Sequence, residues 1–271
     1  MNILEKIIAQ KRKEVAEKKR STDIDSLISM STAFERKCFS LKDALTGDGA
    51  TGVIAEFKRR SPSKGWIHEG ISISEVVPFY ESNGATAISV LTDTEFFGGD
   101  IEELKSARAK VGIPLLRKDF MVDEYQLYEA KSYGADVILL IAACLSNDEA
   151  RNLARKAKEL GLETLLEVHA EEELDHVTDE IDIIGVNNRN LGTFETDIKT
   201  SMRLIKYMPG DKPVISESGI CDVDTILKLR DAGFKGFLIG ETFMKEKSPA
   251  IAFADFMKSL EKGSKLIQHS K

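Results

Sequence analysis

A chain of 271 residues is long enough for one α/β barrel with a large core. Its apolar and charged fractions, 42% and 31%, are those of a globular protein and exclude a disordered or fibrous one. The net charge of −7 argues against a nucleic-acid surface, which needs a basic face.

The opening, Met1-Asn2-Ile3-Leu4-Glu5-Lys6, is charged at once and lacks the apolar block of a secretion signal. From Ile3 to Lys19, the positions of Ile3, Leu4, Ile7, Ile8 and Val15 predict one amphipathic helix. A second, weaker helix is predicted over Leu41 to Leu45. Residues 1–50 stand outside the rhythm that follows and are read as a helical extension packed on a barrel. No Pro- or Gly-rich linker marks a second domain, so residues 1–271 are read as one.

From residue 53 onward, short apolar runs alternate with amphipathic stretches eight times. The runs are Val53 to Ala55, Ala87 to Leu91, Pro114 to Leu116, Val137 to Ile141, Thr164 to Leu166, Ile183 to Val186, Val214 to Ile215 and Phe237 to Ile239. Between them lie helix-like segments such as Ser72 to Asn83, Ile101 to Lys110, Asp123 to Tyr133 and Asn147 to Leu160. Gly84, Gly112, Gly134, Gly161 and Gly233 precede new strands, where helix stops are expected. Buried strands alternating with helices imply parallel βαβ units, and eight of them predict a closed (β/α)8, or TIM, barrel. An open doubly wound sheet is the second choice, but no Gly-x-Gly-x-x-Gly follows the first strand. The longest apolar run, Val137 to Leu145, is too short to cross a bilayer. Cys38, Cys144 and Cys221 share no close spacing, so reduced thiols in a cytoplasmic protein are expected, with neither disulfides nor a zinc site.

Barrel enzymes keep their chemistry at the C-terminal ends of the strands. Strand residues alternate in direction, so Glu56 and Lys58 share a face with Ile54, while Phe57 faces the helices. The same parity turns Lys118 inward with Leu116, and Glu167 inward with Leu165. Charged strand ends are common, and any one of them alone reads as an ion pair or a solvated tip. Two lysines and two glutamates converging on one mouth are too costly to be idle.

Two later segments suit phosphate. Ser216-Glu217-Ser218-Gly219-Ile220 follows strand seven, and Ile239-Gly240-Glu241-Thr242 follows strand eight. Loops in these places can form a backbone N–H cup; plain turn glycines are the alternative for either one alone. After strand one, Lys58-Arg59-Arg60-Ser61-Pro62-Ser63-Lys64-Gly65 is basic and rich in turn residues, and is read as a mobile lid. With Arg117, Lys118 and Arg189 it forms a positive mouth on an acidic protein, suited to a small polyanion.

Ile54 to Gly65 resembles the signature of the indole-3-glycerol phosphate synthases. Leu116 to Phe120, Leu166 to His169, Gly185 to Leu191, Ser216 to Ile220 and the opening Ile3 to Arg12 are similar to further blocks of that family, in order, over nearly the whole chain. The resemblance implies a cofactor-free, metal-free lyase of tryptophan biosynthesis that closes the indole ring of 1-(2-carboxyphenylamino)-1-deoxyribulose 5-phosphate, with loss of carbon dioxide and water. It implies Lys118 as general acid, its pKa lowered toward the working range by a second lysine and a dry mouth. Glu167 is then the carboxylate for the dehydration proton, and Glu56 orients the lysines. Lys58 pairs with a substrate anion, Asn187 bonds the reacting centre and Arg189 an anionic or hydroxyl group. Leu91, Phe96 and Phe120 form the wall for the aromatic ring. Ser61, Ser218, Gly219, Gly240 and Glu241 surround the phosphate. Where some members carry a small hydroxyl residue this chain has Glu241, so only its backbone N–H is expected to take part. The expected partner is this phosphorylated, carboxylated small molecule rather than nucleic acid or membrane, and the expected state is a monomer or weak homo-oligomer.

Other residues are given a structural role. His169 and His176 are placed on one helix, His68 and His269 stand alone, Cys144 is read as core and Trp66 as surface packing. The rival barrel reading, a sugar-phosphate isomerase such as phosphoribosylanthranilate isomerase, calls for a cysteine–aspartate pair at strand ends, yet strand one ends in Glu56 and Lys58. A non-catalytic barrel predicts the loss of Lys118, Glu167 or Glu56, and all three are present.

Overall fold

A computed structural model describes residues 3–269, so Met1, Asn2 and the side chain of His269 lie outside the described residues. Eight parallel strands close into a barrel. They are β1 (Val53–Phe57), β2 (Ala87–Leu91), β3 (Leu115–Lys118), β4 (Val137–Ile141), β5 (Glu163–Val168), β6 (Ile183–Asn187), β7 (Val214–Glu217) and β8 (Gly236–Ile239). Each pairs with its sequence neighbours, and β1 closes against β8 with Val53 opposite Phe237. Five of the eight strands run one or two residues past the apolar run at their C-terminal end. On β3, β5 and β7 they continue through charged positions because Lys118, Glu167 and Glu217 find one another across the barrel.

Parity divides the core in two. Ile54, Leu116, Leu139, Leu165, Ile183, Ile215 and Leu238 fill the barrel interior. Phe57, Ile88, Val90, Ile138, Leu166 and Phe237 face the surrounding helices. Arg117 follows the same rule. Counted from sequence with the positive mouth, it is instead fully buried in the helix layer, where Asp119 (3.1 Å) and Glu129 (2.7 Å) hold it.

Three helices precede the barrel: α1 (Ile3–Ser21), α2 (Ile24–Ser29) and α3 (Leu41–Thr46). The sequence pattern missed α2, which has only six residues and begins where the Asp23 side chain accepts the Ser26 N–H at 2.8 Å. Lys11 of α1, only 4% exposed, clips this helix onto the barrel. Its ammonium lies 2.9 Å from Asp93 after β2 and 2.9 Å from Asp119 after β3. Among the described residues no helix is long and apolar enough to cross a membrane.

Burial alone would raise the Asp119 carboxyl, but Lys11, Arg117 and the Thr92 hydroxyl override it and hold it at about 2. A depressed folded-state pKa contributes stability above the unfolded value, lost as pH falls through the folded one. Wild type is therefore expected to lose this contribution between about pH 4 and pH 2. Asp119→Asn should destabilise by about 3 kcal/mol at pH 7, because it takes one carboxylate partner from each of two buried cations, leaving Lys11 with Asp93 and Arg117 with Glu129. Urea midpoints for both proteins at pH 7, 4 and 3 check this. A gap that fails to narrow on acidification counts against it.

Candidate active site

The C-terminal ends of the strands surround one cavity of about 500 Å³. At its floor, Glu56 of β1 and Lys58, just past its end, pair at 2.7 Å. Lys118, at the end of β3, reaches across to Glu167 on β5 at 2.9 Å and also bonds the Glu217 carboxylate on β7. Glu56, Glu167 and Glu217 are all nearly inaccessible to solvent.

Glu217 did not emerge from the sequence reading, which went past it to Ser218 and Gly219. The signal was present: Glu217 has the parity of the interior residue Ile215, as Glu167 has that of Leu165. Room for these carboxyl groups comes from two residues without side chains. A Cβ on Gly185 of β6 would lie 2.3 Å from Glu217 Oε1, and one on Gly240 would lie 2.5 Å from Glu56 Oε1.

The electrostatics reverse one expectation. Burial pulls the Lys118 ammonium down, but Glu167, Glu217 and Glu56 overcome it and hold it above the ordinary lysine value, not below. Lys58 is paired with Glu56 rather than set against Lys118. The proton on Lys118 is thus secure at neutral pH. Burial, with the neighbouring Glu167 carboxylate, pushes Glu217 up against the pull of Lys118. Glu167 goes the other way: burial would raise it, but Lys118 and His169 hold it below the usual carboxylate range.

His169 is not on a helix with His176. It follows β5 directly, and His176 ends a separate 3-10 turn, Glu171–His176. Cys144 also sits in a short 3-10 turn, Ala142–Cys144, half-buried, and burial raises its thiol.

The remaining expected residues, all except Phe96, line the same cavity: Leu91, Phe120, Asn187, Arg189, Ser61, Ser218, Gly219, Gly240 and Glu241. Phe97 takes the wall position instead, its ring 6.1 Å from that of Phe120. Strand parity stops at Leu91, and a turn in which the Asp93 carboxylate accepts the N–H groups of Phe96 and Phe97 then decides which ring faces the cavity. Ile3, Leu4 and Ile7 of α1 add an apolar wall that strand-end reasoning could not reach.

After β7, Ser218 and Gly219 are both left-handed, at φ 67° and 74°. The Asn188 amide donates to the Ser218 carbonyl at 3.0 Å and fixes this turn. After β8, Gly240 precedes a four-residue helix, α4 (Glu241–Met244), whose first N–H groups have no intrahelical acceptor. The Glu241 side chain is not idle beside this cup. It bonds Lys64 in the segment after β1 and lies 3.6 Å from Arg189. The segment after β1 is a small hairpin, Arg60–Ser61 against Gly65–Trp66, and Arg189 also donates to Ser63 at 3.1 Å. Trp66 is half exposed and packs beside Gly98 and Arg60. Among the described residues, no group of three or more His, Cys, Asp or Glu is arranged to hold a metal ion.

Both the fold and the sequence have known relatives. The barrel is similar to a chain of the tryptophan synthase complex from Pyrococcus furiosus (TM-score 0.59, 15% identity, covering 78% of this chain and 98% of that one). It is equally similar to 3-hexulose-6-phosphate synthase from Salmonella typhimurium (TM-score 0.60, 12% identity, 78% and 99%). At such identities the likeness concerns the fold alone. The sequence relatives say more. Indole-3-glycerol phosphate synthase from Bacteroides thetaiotaomicron is 50% identical over 96% of this chain and 99% of its own length. That from Burkholderia vietnamiensis is 43% identical, over 93% and 98%. The model of the indole-3-glycerol phosphate synthase family matches residues 4–256. With three carboxylates and two lysines at the mouth of a closed barrel, this chain belongs to the indole-3-glycerol phosphate synthase family.

Proposed function

We propose that this cavity closes the indole ring of 1-(2-carboxyphenylamino)-1-deoxyribulose 5-phosphate, releasing carbon dioxide and water, with Lys118 as the general acid. The observation that carries the reading is Lys118 itself, a protonated ammonium held between two buried carboxylates at the floor of the cavity. As the ring carbon attacks the ribulose carbonyl, negative charge develops on the carbonyl oxygen, and Lys118 is loaded to protonate it. Loss of carbon dioxide restores aromaticity. Dehydration then needs one group that accepts a proton and another that gives one. Glu167, ionised, and Glu217, with its raised proton affinity, supply opposite tendencies from β5 and β7, on either side of β6.

Lys58 pairs with the substrate carboxylate, and Glu56 keeps its ammonium in place. Asn187 bonds the reacting centre, and Arg189 an anion or hydroxyl. Phe120, Phe97 and Leu91, with the α1 residues, hold the aromatic ring. The Ser218–Gly219 turn, Gly240, the backbone of Glu241 and Ser61 receive the phosphate, in the place where barrels use the loops after their last two strands and a short extra helix.

Purified protein mixed with the carboxyphenylamino substrate should develop indole fluorescence. Bound but unconverted substrate would overturn the reading. The lid gives a second expected result. Substrate carboxylate and phosphate bring new partners for Lys64 and Arg189, so the segment from Ser61 to Gly65 should be cut more slowly by trypsin when a non-reactive analogue is bound. Equal rates of cutting count against the lid.

A further inference from the structure

We infer that His169 is a positioning residue for this reaction: from behind Glu167, it decides which of the two carboxylates sharing Lys118 carries a proton. The inference rests on the proposed role of Glu167.

The argument begins with a charge count. Three carboxylates, Glu56, Glu167 and Glu217, face two ammonium groups, Lys58 and Lys118, at the floor of the cavity. Lys58 is committed to Glu56 at 2.7 Å. One cation, Lys118, is left for Glu167 and Glu217, and it touches both. Two buried carboxylates cannot both ionise freely beside a single positive charge, so one of them takes up protons more readily. Lys118 by itself does not single out either one by contact, and Glu56 adds a repulsive charge on the Glu217 side.

His169 breaks the symmetry. Lys118 uses Glu167 Oε2, and His169 Nε2 lies 3.3 Å from the other oxygen, Oε1. That contact is an ion pair rather than an aligned hydrogen bond. Glu217 has no counterpart, and its Oε1 is buried without a hydrogen-bond partner. Glu173 steadies the ring from its far side. Its Oε2 lies 3.4 Å from His169 Nδ1 and also accepts the His169 backbone N–H at 2.6 Å. The ring does not line the cavity, so it acts through Glu167 and not on substrate.

The groups facing His169 agree on its charge. Glu167 meets it from β5 and Glu173 from the 3-10 turn that follows. Cys144, after β4, carries a thiol that burial keeps neutral, and Lys118 and Glu217 lie beyond Glu167. Burial pulls the imidazolium down, but the two carboxylates override it and push the ring up to about 10. The ring is therefore a fixed cation near neutral pH. Glu167 stays ionised, and the proton goes to Glu217.

The test is the pH dependence of kcat and KM for wild type, His169→Gln, Glu173→Gln and Glu167→Gln. Removing the cation raises the proton affinity of Glu167. For His169→Gln the acid limb of kcat should move to higher pH by about half a unit or more, and kcat at neutral pH should fall about tenfold, with KM within about threefold of wild type. Glu173→Gln leaves the ring in place but weakens its hold on the proton, and should move the limb in the same direction by less. If His169→Gln does not fold, Glu173→Gln decides alone. Limbs that superimpose on wild type after scaling, whatever the loss of rate, overturn the inference. Glu167→Gln separates the two levels: if it is fully active, the role of Glu167 itself is wrong. If it is inactive while the limbs of the other variants stay fixed, only the role of His169 is wrong.

Discussion

Lys118→Met is expected to lower kcat by about 10²–10⁴-fold, the range for loss of a general acid, while the protein remains folded and binds substrate. Methionine approximates the length and flexibility of the lysine stem and removes the ammonium, with its charge and its hydrogen bonds to Glu167 and Glu217. Removing one partner of a buried ion pair ordinarily costs about 3–5 kcal/mol. Here the penalty is softened, because Glu217 already sits above the usual carboxylate range and can take up a proton in place of the lost ammonium. The site can thus neutralise itself without unfolding. Substrate affinity should change little, because phosphate and carboxylate are assigned to other groups. Single-turnover rates, a thermal melt and calorimetric titration with a non-reactive analogue separate these quantities. Turnover within a few-fold of wild type would remove Lys118 as the acid, and loss of the melting transition would make the rate uninformative about chemistry.

Gly240→Val is expected to lower kcat/KM by about 100-fold or more, through Glu56 as much as through phosphate. A branched side chain here would block the approach of phosphate to the backbone. The structure supplies a more immediate obstacle: an added Cβ would lie 2.5 Å from Glu56 Oε1 and 3.0 Å from Glu56 Cβ. Gly240 has a negative φ of −122°, so the sense of its turn is not what forbids a side chain; the space is. Glu56 would have to move, releasing Lys58 from its 2.7 Å pair, and a displacement of about 1 Å in a catalytic group can cost about 100-fold in rate. Glu241→Ser, one residue on, should behave in the opposite way. Its carboxylate occupies Lys64 and Arg189, two cations that an anionic substrate can use, so its removal should leave KM unchanged or lower it by a few-fold. Steady-state kinetics on both variants decide the matter. Normal kcat/KM in Gly240→Val, or a strong rise of KM in Glu241→Ser, would contradict this account of the cup.

The sequence by itself determined the barrel, because burial on both strand faces writes eight apolar runs and each helix must return the chain to the next parallel strand. It also determined which strand-end residues point inward, since alternation follows from backbone geometry alone: Glu56, Lys118 and Glu167 needed no tertiary information. Glu217 was legible by the same rule, but the turn residues Ser218 and Gly219 that follow it carry the stronger local signal. Beyond the strands the rule fails, as Phe96 and Phe97 illustrate. In a turn, the face a side chain takes depends on which hydrogen bonds close the turn, and those run here to Asp93. Tertiary structure alone decided the contacts between distant segments. Ile3, Leu4 and Ile7 reach the cavity because Lys11 finds Asp93 and Asp119, a pairing that no local pattern encodes. The protonation of the site was likewise undecidable from the chain. A lysine near another lysine loses its proton more easily, and a lysine between two buried glutamates holds it more tightly. The choice between these opposite outcomes is fixed by distances of about 3 Å between residues some 50 to 100 positions apart.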